Sequence, residues 1–298
     1  RSTIVQGIEF WNTLFSGQIF DYYNLAGSVY GMIMNFIMGI WQIPLYILDS
    51  IMDKPILDFF LARIYGKMIL IILVFGCGIV MRKIADEMKM KEENISICIM
   101  MFCSSAFIFS SICIVGQVDI YGVFFSLLAI LYLMKGKRVG FLIFYVIAVQ
   151  CKFFPFFIFA PIILLLEKKV IKVIIDICLP FLVYFLTDIP FRLSMDNKVT
   201  NDALISLTNC KVHLMSFGIP LSLLIFCAIC IIAYLMKSPT EEKPKWIFFW
   251  GFAGIASMLL LYKECPYRIV YILPFTTLFF CNNLINPGFS TSHDEVGI

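Results

Sequence analysis

Short basic connections alternate with apolar runs along this chain, and the longer runs suffice to cross a hydrocarbon core ~30 Å thick as helices. Of 298 residues, 61% are hydrophobic and 14% charged, where soluble domains carry roughly 25% charge. With a mean hydropathy of +0.94, the chain reads as all-α, a polytopic transmembrane helical bundle. A cytosolic enzyme, a secreted disulfide scaffold and a nucleic-acid binder are excluded. The net charge of +3 decides little, because the placement of Lys and Arg among loops sets orientation.

Taken in order, the clear spans are 64–81, 95–115, 120–134, 170–187, 215–236, 246–262 and 269–284. The connections holding Arg82, Lys83, Lys89 and Lys91, then Lys135, Lys137 and Arg138, then Lys168, Lys169 and Lys172, then Lys237, Lys243 and Lys245 are cytoplasmic by the positive-inside rule. The stretch 139–166 lies between two such loops, so it crosses twice or dips and returns. Each half has about a dozen residues, or roughly 18 Å at ~1.5 Å per residue. The turn at Gln150–Lys152, before Pro155, is therefore expected below the outer surface, where protein or water must line a cavity.

The same parity puts residues 1–63 outside as an external loop, followed by a bundle at 64–285 and a polar tail at 286–298. Within the loop, 29–48 is apolar but contains Gly31, Asn35, Gly39, Gln42 and Pro44, which suits a re-entrant or juxtamembrane helix. The other reading is one more ordinary span with a cytoplasmic N-terminus. Most of the 11 cysteines lie inside apolar runs, where a thiol behaves as a small hydrophobe. No metal site and no disulfide framework is read, although Cys210 and Cys265 fall on one side. The first residue is Arg1, so a preceding segment is expected.

Polar groups gather on the outer side at Glu9–Tyr23, Gly116–Asp119, Asp188–Leu214 and Tyr262–Arg268, joined by Lys152 at the hairpin turn. An apolar body with ionisable groups at one face suggests a site for a lipid-linked anion, since buried charge is costly without a partner.

At these residues the chain resembles the GT-C superfamily of integral-membrane glycosyltransferases, which draw sugar from a polyprenyl-phosphate carrier. LFSGQIFDYY at 14–23 is similar to a motif of their first large external loop, and GIWQIPLY at 39–46 to the juxtamembrane helix that follows. GQVD at 116–119, KFFP at 152–155 with Pro161 downstream, and KECPYR at 263–268 leading into Pro274 continue the series. The chain departs from the family in lacking a first span, in having Cys265 where many relatives have His, and in stopping before the last spans. It therefore reads as a fragment or a shortened relative.

The resemblance implies a hexosyltransferase of the plasma membrane with an extracytoplasmic active face. Its partners would be a polyprenyl-phosphate sugar donor, a glycan or lipid acceptor of the cell envelope, and the bilayer. No cofactor is implied, and a divalent cation is left open. Transfer requires a carboxylate to take the acceptor's proton and cations to hold the leaving phosphate. By the resemblance the base lies in the first external loop, and Asp21 and Glu9 are the only acids within 1–25. Arg268, Lys263 and Lys152 are the phosphate-binding candidates. Gln117, Asp119, Tyr267 and Arg192 are further site residues, with His213 weaker. Asp119 reads equally as a helix N-cap, and Lys152 as a lysine snorkelling to the surface. The rivals are a transporter or lipid flippase, with Asp119, Lys152 and Arg268 as gating charges, and an inactive scaffold subunit.

Overall fold

The computed structural model describes residues 2–28, 30–52, 54–192, 213–214, 219–239, 243–259 and 266–284. The architecture is all-α, as expected. In chain order the helices are α1 (Ser2–Phe15), α2 (Tyr22–Ala26), α3 (Met32–Ile51), α4 (Phe60–Glu87), α5 (Glu92–Cys103), α6 (Ala106–Phe109), α7 (Asp119–Met134), α8 (Arg138–Cys151), α9 (Pro155–Leu166), α10 (Val170–Arg192), α11 (Leu221–Leu235), α12 (Lys243–Leu259) and α13 (Leu273–Leu284). Besides short 3-10 and π turns, His213–Leu214 pairs antiparallel with Ile219–Pro220. Among the described residues, four paths, Met32–Ile51, Phe60–Glu87, Glu92–Ile112 and Val170–Phe191, are long and apolar enough to cross a membrane.

Ion pairs gather the basic connections at one end of the bundle. Lys135 reaches Glu87 at 3.7 Å and Arg82 reaches Glu92 at 2.6 Å. Arg138 lies 2.9 Å from Asp176 and 3.6 Å from Glu167. Glu167 also accepts from the Lys169 N–H; that bond chiefly, with Lys172 and Arg138, holds its carboxyl below the usual range. Lys168 closes the end by donating to the carbonyls of Ala233 and Tyr234. Because Arg138 opens α8 and Glu167 follows α9, these two helices form an antiparallel hairpin.

α3 keeps both of its ends away from that basic end. The N–H of Met32, its first residue, donates to Asp188 near the far end of α10 at 2.8 Å. In its last turn, Asp49 accepts from Ile56 N–H just before α4 begins. α4 runs 28 residues, ~42 Å at ~1.5 Å per residue, before Glu87 meets Lys135. Trp41 and Tyr65 exchange ring-to-backbone hydrogen bonds, Nε1 to carbonyl at 3.1 Å and hydroxyl to carbonyl at 2.9 Å, and their rings stack at 4.9 Å. α1 packs on α3, with Trp11 Nε1 donating to the Gly39 carbonyl at 2.7 Å.

Several expected boundaries are corrected. The stretch 95–115 is not one regular helix: α5 ends at Cys103, and Ser104 and Ser105 turn their hydroxyls to nearby backbone groups. Such bonds compete with helical pairing. A π turn, Ser110–Val115, follows α6. A loop is expected from Asp188, but α10 continues to Arg192 with Asp188 fully buried. The expected span 269–284 is a 3-10 turn, Pro266–Tyr271, followed by the 12-residue α13.

Large apolar side chains line the outer flanks: Phe75 is 63% exposed, Ile171 75% and Leu186 63%. Apolar faces of this extent demand a non-aqueous covering. Inside, Asp119, Asp176 and Asp188 are the buried acids among the described residues, and each has a partner, as burial of a carboxylate requires.

Candidate functional site

At the end opposite the basic connections, a cavity of about 620 Å³ is lined by Tyr30, Gly31, Gln117, Val149–Phe153, Phe181, Tyr184 and Arg268. Each wall has a local cause. Pro155 has no N–H to donate to the Cys151 carbonyl, so α8 cannot run on. Lys152 turns to an extended conformation and Pro155 opens α9 at its first turn, where proline is favoured. That break brings Lys152 to the cavity. Gly116, at φ +70°, ends the π turn, and the Gln117 N–H returns to the Ser111 carbonyl at 2.9 Å. A left-handed residue of this kind is best supplied by glycine.

Lys152 Nζ lies 2.6 Å from Asp119 Oδ1. Asp119 is the first residue of α7, and Val118 rather than Asp119 occupies the N-cap position. The helix start favours a carboxylate there. The Lys152 side chain keeps 20% of its surface exposed while that of Asp119 keeps none, so the lysine, not the aspartate, meets the cavity. Lys152 is thus tethered from below and not simply snorkelling.

Arg268 reaches the same cavity from the 3-10 turn Pro266–Tyr271. Its guanidinium lies over the Phe154 ring at 4.8 Å, a cation–π contact. Tyr271, one turn on, is buried and fills the space beside Gly122 of α7. Among the described residues, the Tyr271 hydroxyl and Gln150 Oε1 are buried without a hydrogen-bond partner.

Asp188 anchors the remaining wall. It accepts from the Met32 N–H and from the Tyr23 hydroxyl, which ties the segment before α3 to α10. The Asn35 amide adds a bond to the Tyr30 carbonyl at 3.1 Å, and Ser28 donates to Asn35 Oδ1 at 2.8 Å. Gly31 faces α8 so closely that a Cβ there would lie 3.2 Å from the Gln150 carbonyl.

Of the candidates read from the sequence, Lys152, Arg268 and Gln117 come together on the cavity, with Asp119 behind Lys152. Asp21 sits exposed at the end of the 3-10 turn Ile19–Asp21, and Glu9 is half-buried on α1; neither lines the cavity. Tyr267 precedes Arg268 in its turn, Arg192 closes α10, and His213 lies in the short strand pair. Lys263, with Cys210 and Cys265, lies outside the described residues. Tyr30 and Gly31 are not site candidates in the sequence; Gln150 is expected only as part of the cavity turn, and Asp188 only as the start of an outer polar group. Asp188 has a further signal: an acid at the end of an apolar run is a candidate for function by its cost alone.

Among the described residues, no three His, Cys, Asp or Glu side chains gather as metal ligands would. Comparison with protein-family models, with curated proteins and with solved structures gives no match. The cavity can do two things chemically: hold an anion between Lys152 and Arg268, and present aromatic and amide surface to whatever the anion carries.

Proposed function

We propose that this chain is an integral-membrane glycosyltransferase that takes a sugar from a polyprenyl-phosphate donor and passes it to an extracytoplasmic acceptor of the cell envelope. The observation that carries the reading is the meeting of Lys152 and Arg268, with Gln117, on one cavity at the end away from the basic loops. With those loops in the cytoplasm, the cavity opens at the outer face of the plasma membrane. α3 lies along that face as a juxtamembrane helix, and the apolar flanks of α4 and α10 meet lipid.

In this reading the acceptor hydroxyl attacks the anomeric carbon, and the bond from that carbon to the phosphate oxygen breaks. The phosphate leaves with the electron pair. Arg268 offers a planar fork to its oxygens and Lys152 a point charge, and both contacts strengthen as negative charge grows. Gln117 can bond a sugar hydroxyl. The acceptor proton passes to a base; Asp21 and Glu9, the carboxylates the family resemblance implies, lie off the cavity lining, so the role falls to them only if the acceptor reaches their side.

The test is to offer the purified full-length protein a set of polyprenyl-phosphate sugars and measure donor consumption. Turnover of one donor is expected. Failure to turn over any of them, together with substrate-driven transport in vesicles, would replace this reading with the transporter.

A further inference from the structure

Gln150 follows the apolar run Phe141–Val149 in α8 and is 2% exposed. An amide set so deep among apolar neighbours is costly unless both of its ends are used. One end is. Gln150 Nε2 donates to the Pro180 carbonyl of α10 at 2.8 Å. A carbonyl can only accept, so the amide nitrogen is the atom fixed on α10 and the oxygen takes the other side. There Gly31 packs against it: a Cβ on Gly31 would lie 3.7 Å from Gln150 Oε1. Gly31 and Gln150 both line the 620 Å³ cavity, and Oε1 is buried without a hydrogen-bond partner among the described residues. As a tie between α8 and α10, Gln150 needs only its nitrogen, and the tie does not account for the oxygen.

Polarity divides this cavity. Lys152 and Arg268 bring cations, which call for an anion. Gln150 brings an oxygen that can only accept, which calls for a hydroxyl or N–H and repels the oxygen of a phosphate or carboxylate. A ligand that answers both carries an anion and, beside it, a neutral hydrogen-bond donor. That is the chemistry of a sugar phosphate.

We infer that Gln150 is a specificity-determining residue of this cavity: its Oε1 accepts from one hydroxyl of a neutral sugar whose phosphate lies at Lys152 and Arg268. The inference deepens the donor reading proposed above and rests on it. It orients the donor, with the sugar toward the α8–α10 wall and the phosphate toward the Pro266–Tyr271 turn. Discrimination follows, because a site that pairs with a hydroxyl leaves its own buried group unmet when the hydroxyl is missing.

The experiment is calorimetric titration of the full-length protein in detergent with bare polyprenyl phosphate, with polyprenyl-phosphate hexoses, and with the mono-deoxy analogues of the hexose bound most tightly. The parent is expected to bind that hexose more tightly than the bare carrier and to lose about tenfold in affinity with one deoxy analogue. Gln150→Met is expected to bind this analogue and the full sugar alike while holding the bare carrier as the parent does. Gly31→Ala is the second variant: it keeps the Gln150–Pro180 bond and sets a methyl against Oε1, so it should lose the same discrimination. Discrimination that persists in either variant overturns the inference, as does a parent indifferent to every deoxy position; both results leave the donor reading standing. An equal fall in affinity for the bare carrier and the sugar in Gln150→Met assigns the residue to the fold alone and overturns the inference too. A parent that binds no polyprenyl-phosphate form overturns the donor reading and this inference with it.

Discussion

Lys152 Nζ stands 2.6 Å from Asp119 Oδ1, so the turn of one helical hairpin is fastened to the first residue of the helix beside it. The two partners are unequal: the carboxylate is fully buried and the ammonium is not. Removing the lysine strands a buried anion, whereas removing the acid leaves a cation with access to the cavity. Lys152→Met is therefore expected to cost about 3 kcal/mol and Asp119→Asn distinctly less. The double variant should recover much of the loss, read from thermal unfolding in detergent as a double-mutant cycle. Equal losses for the two single variants would mean that Asp119 is not the buried partner.

Arg268 tests the phosphate assignment. A lipid-head-group anchor tolerates Arg268→Lys, but a forked phosphate contact does not. Donor affinity and transfer rate should fall by about tenfold or more in both Arg268→Lys and Arg268→Ala. Titration of the donor against parent and variants reads this, and identical curves would remove Arg268 from the site.

Asp188 is expected to hold the Tyr30–Gly31 wall through acceptor capacity rather than charge. Asp188→Ala removes the acceptor of the Met32 N–H and of the Tyr23 hydroxyl, a loss of about 1–3 kcal/mol for a buried group left unsatisfied. Asp188→Asn keeps an oxygen for them and should lose less. Donor binding should follow the same order, and an alanine variant with parental stability would contradict the tie.

The α9–α12 contact should be the least tolerant of added volume. A Cβ at Gly254 would collide with the Phe157 carbonyl and lie 2.8 Å from Pro161 Cγ. Backbone cannot step aside, so Gly254→Ala should cost at least about 1–3 kcal/mol. At Gly78 the nearest atom would be the Ile99 methyl at 3.3 Å, which can yield. Gly78→Ala should be near neutral by the same thermal measurement.

Orientation is checked by cysteine labelling in a background freed of native cysteines. Probes at Asn12 and Lys89, both exposed, should be reached from the extracytoplasmic and cytoplasmic sides respectively. Asp119, being buried, is no marker of sidedness. A probe at position 12 reached only from the cytoplasm would make α3 a true span.

By itself the sequence determined the helical class, the presence of apolar paths long enough to cross a membrane and the clustering of basic connections at one end. These are local properties: a run of apolar residues needs no partner to be helical in lipid, and loop charge is read within each loop. The break at Lys152 was legible for the same reason, since Pro155 forbids continuation within four residues. Tertiary structure alone decided which polar groups meet. Glu9, Asp21 and Asp119 were all candidates in the chain, yet of the three only Asp119 is drawn beneath a cavity, because its helix starts beside the α8–α9 turn. Asp188 read as the start of a loop until burial, the Tyr23 hydroxyl and the Met32 N–H made it helical and structural. Partners so distant along the chain are chosen by how helices pack, and side-chain volumes such as the missing ones at Gly31, Gly122 and Gly254 set that packing only once the neighbouring helix is in place.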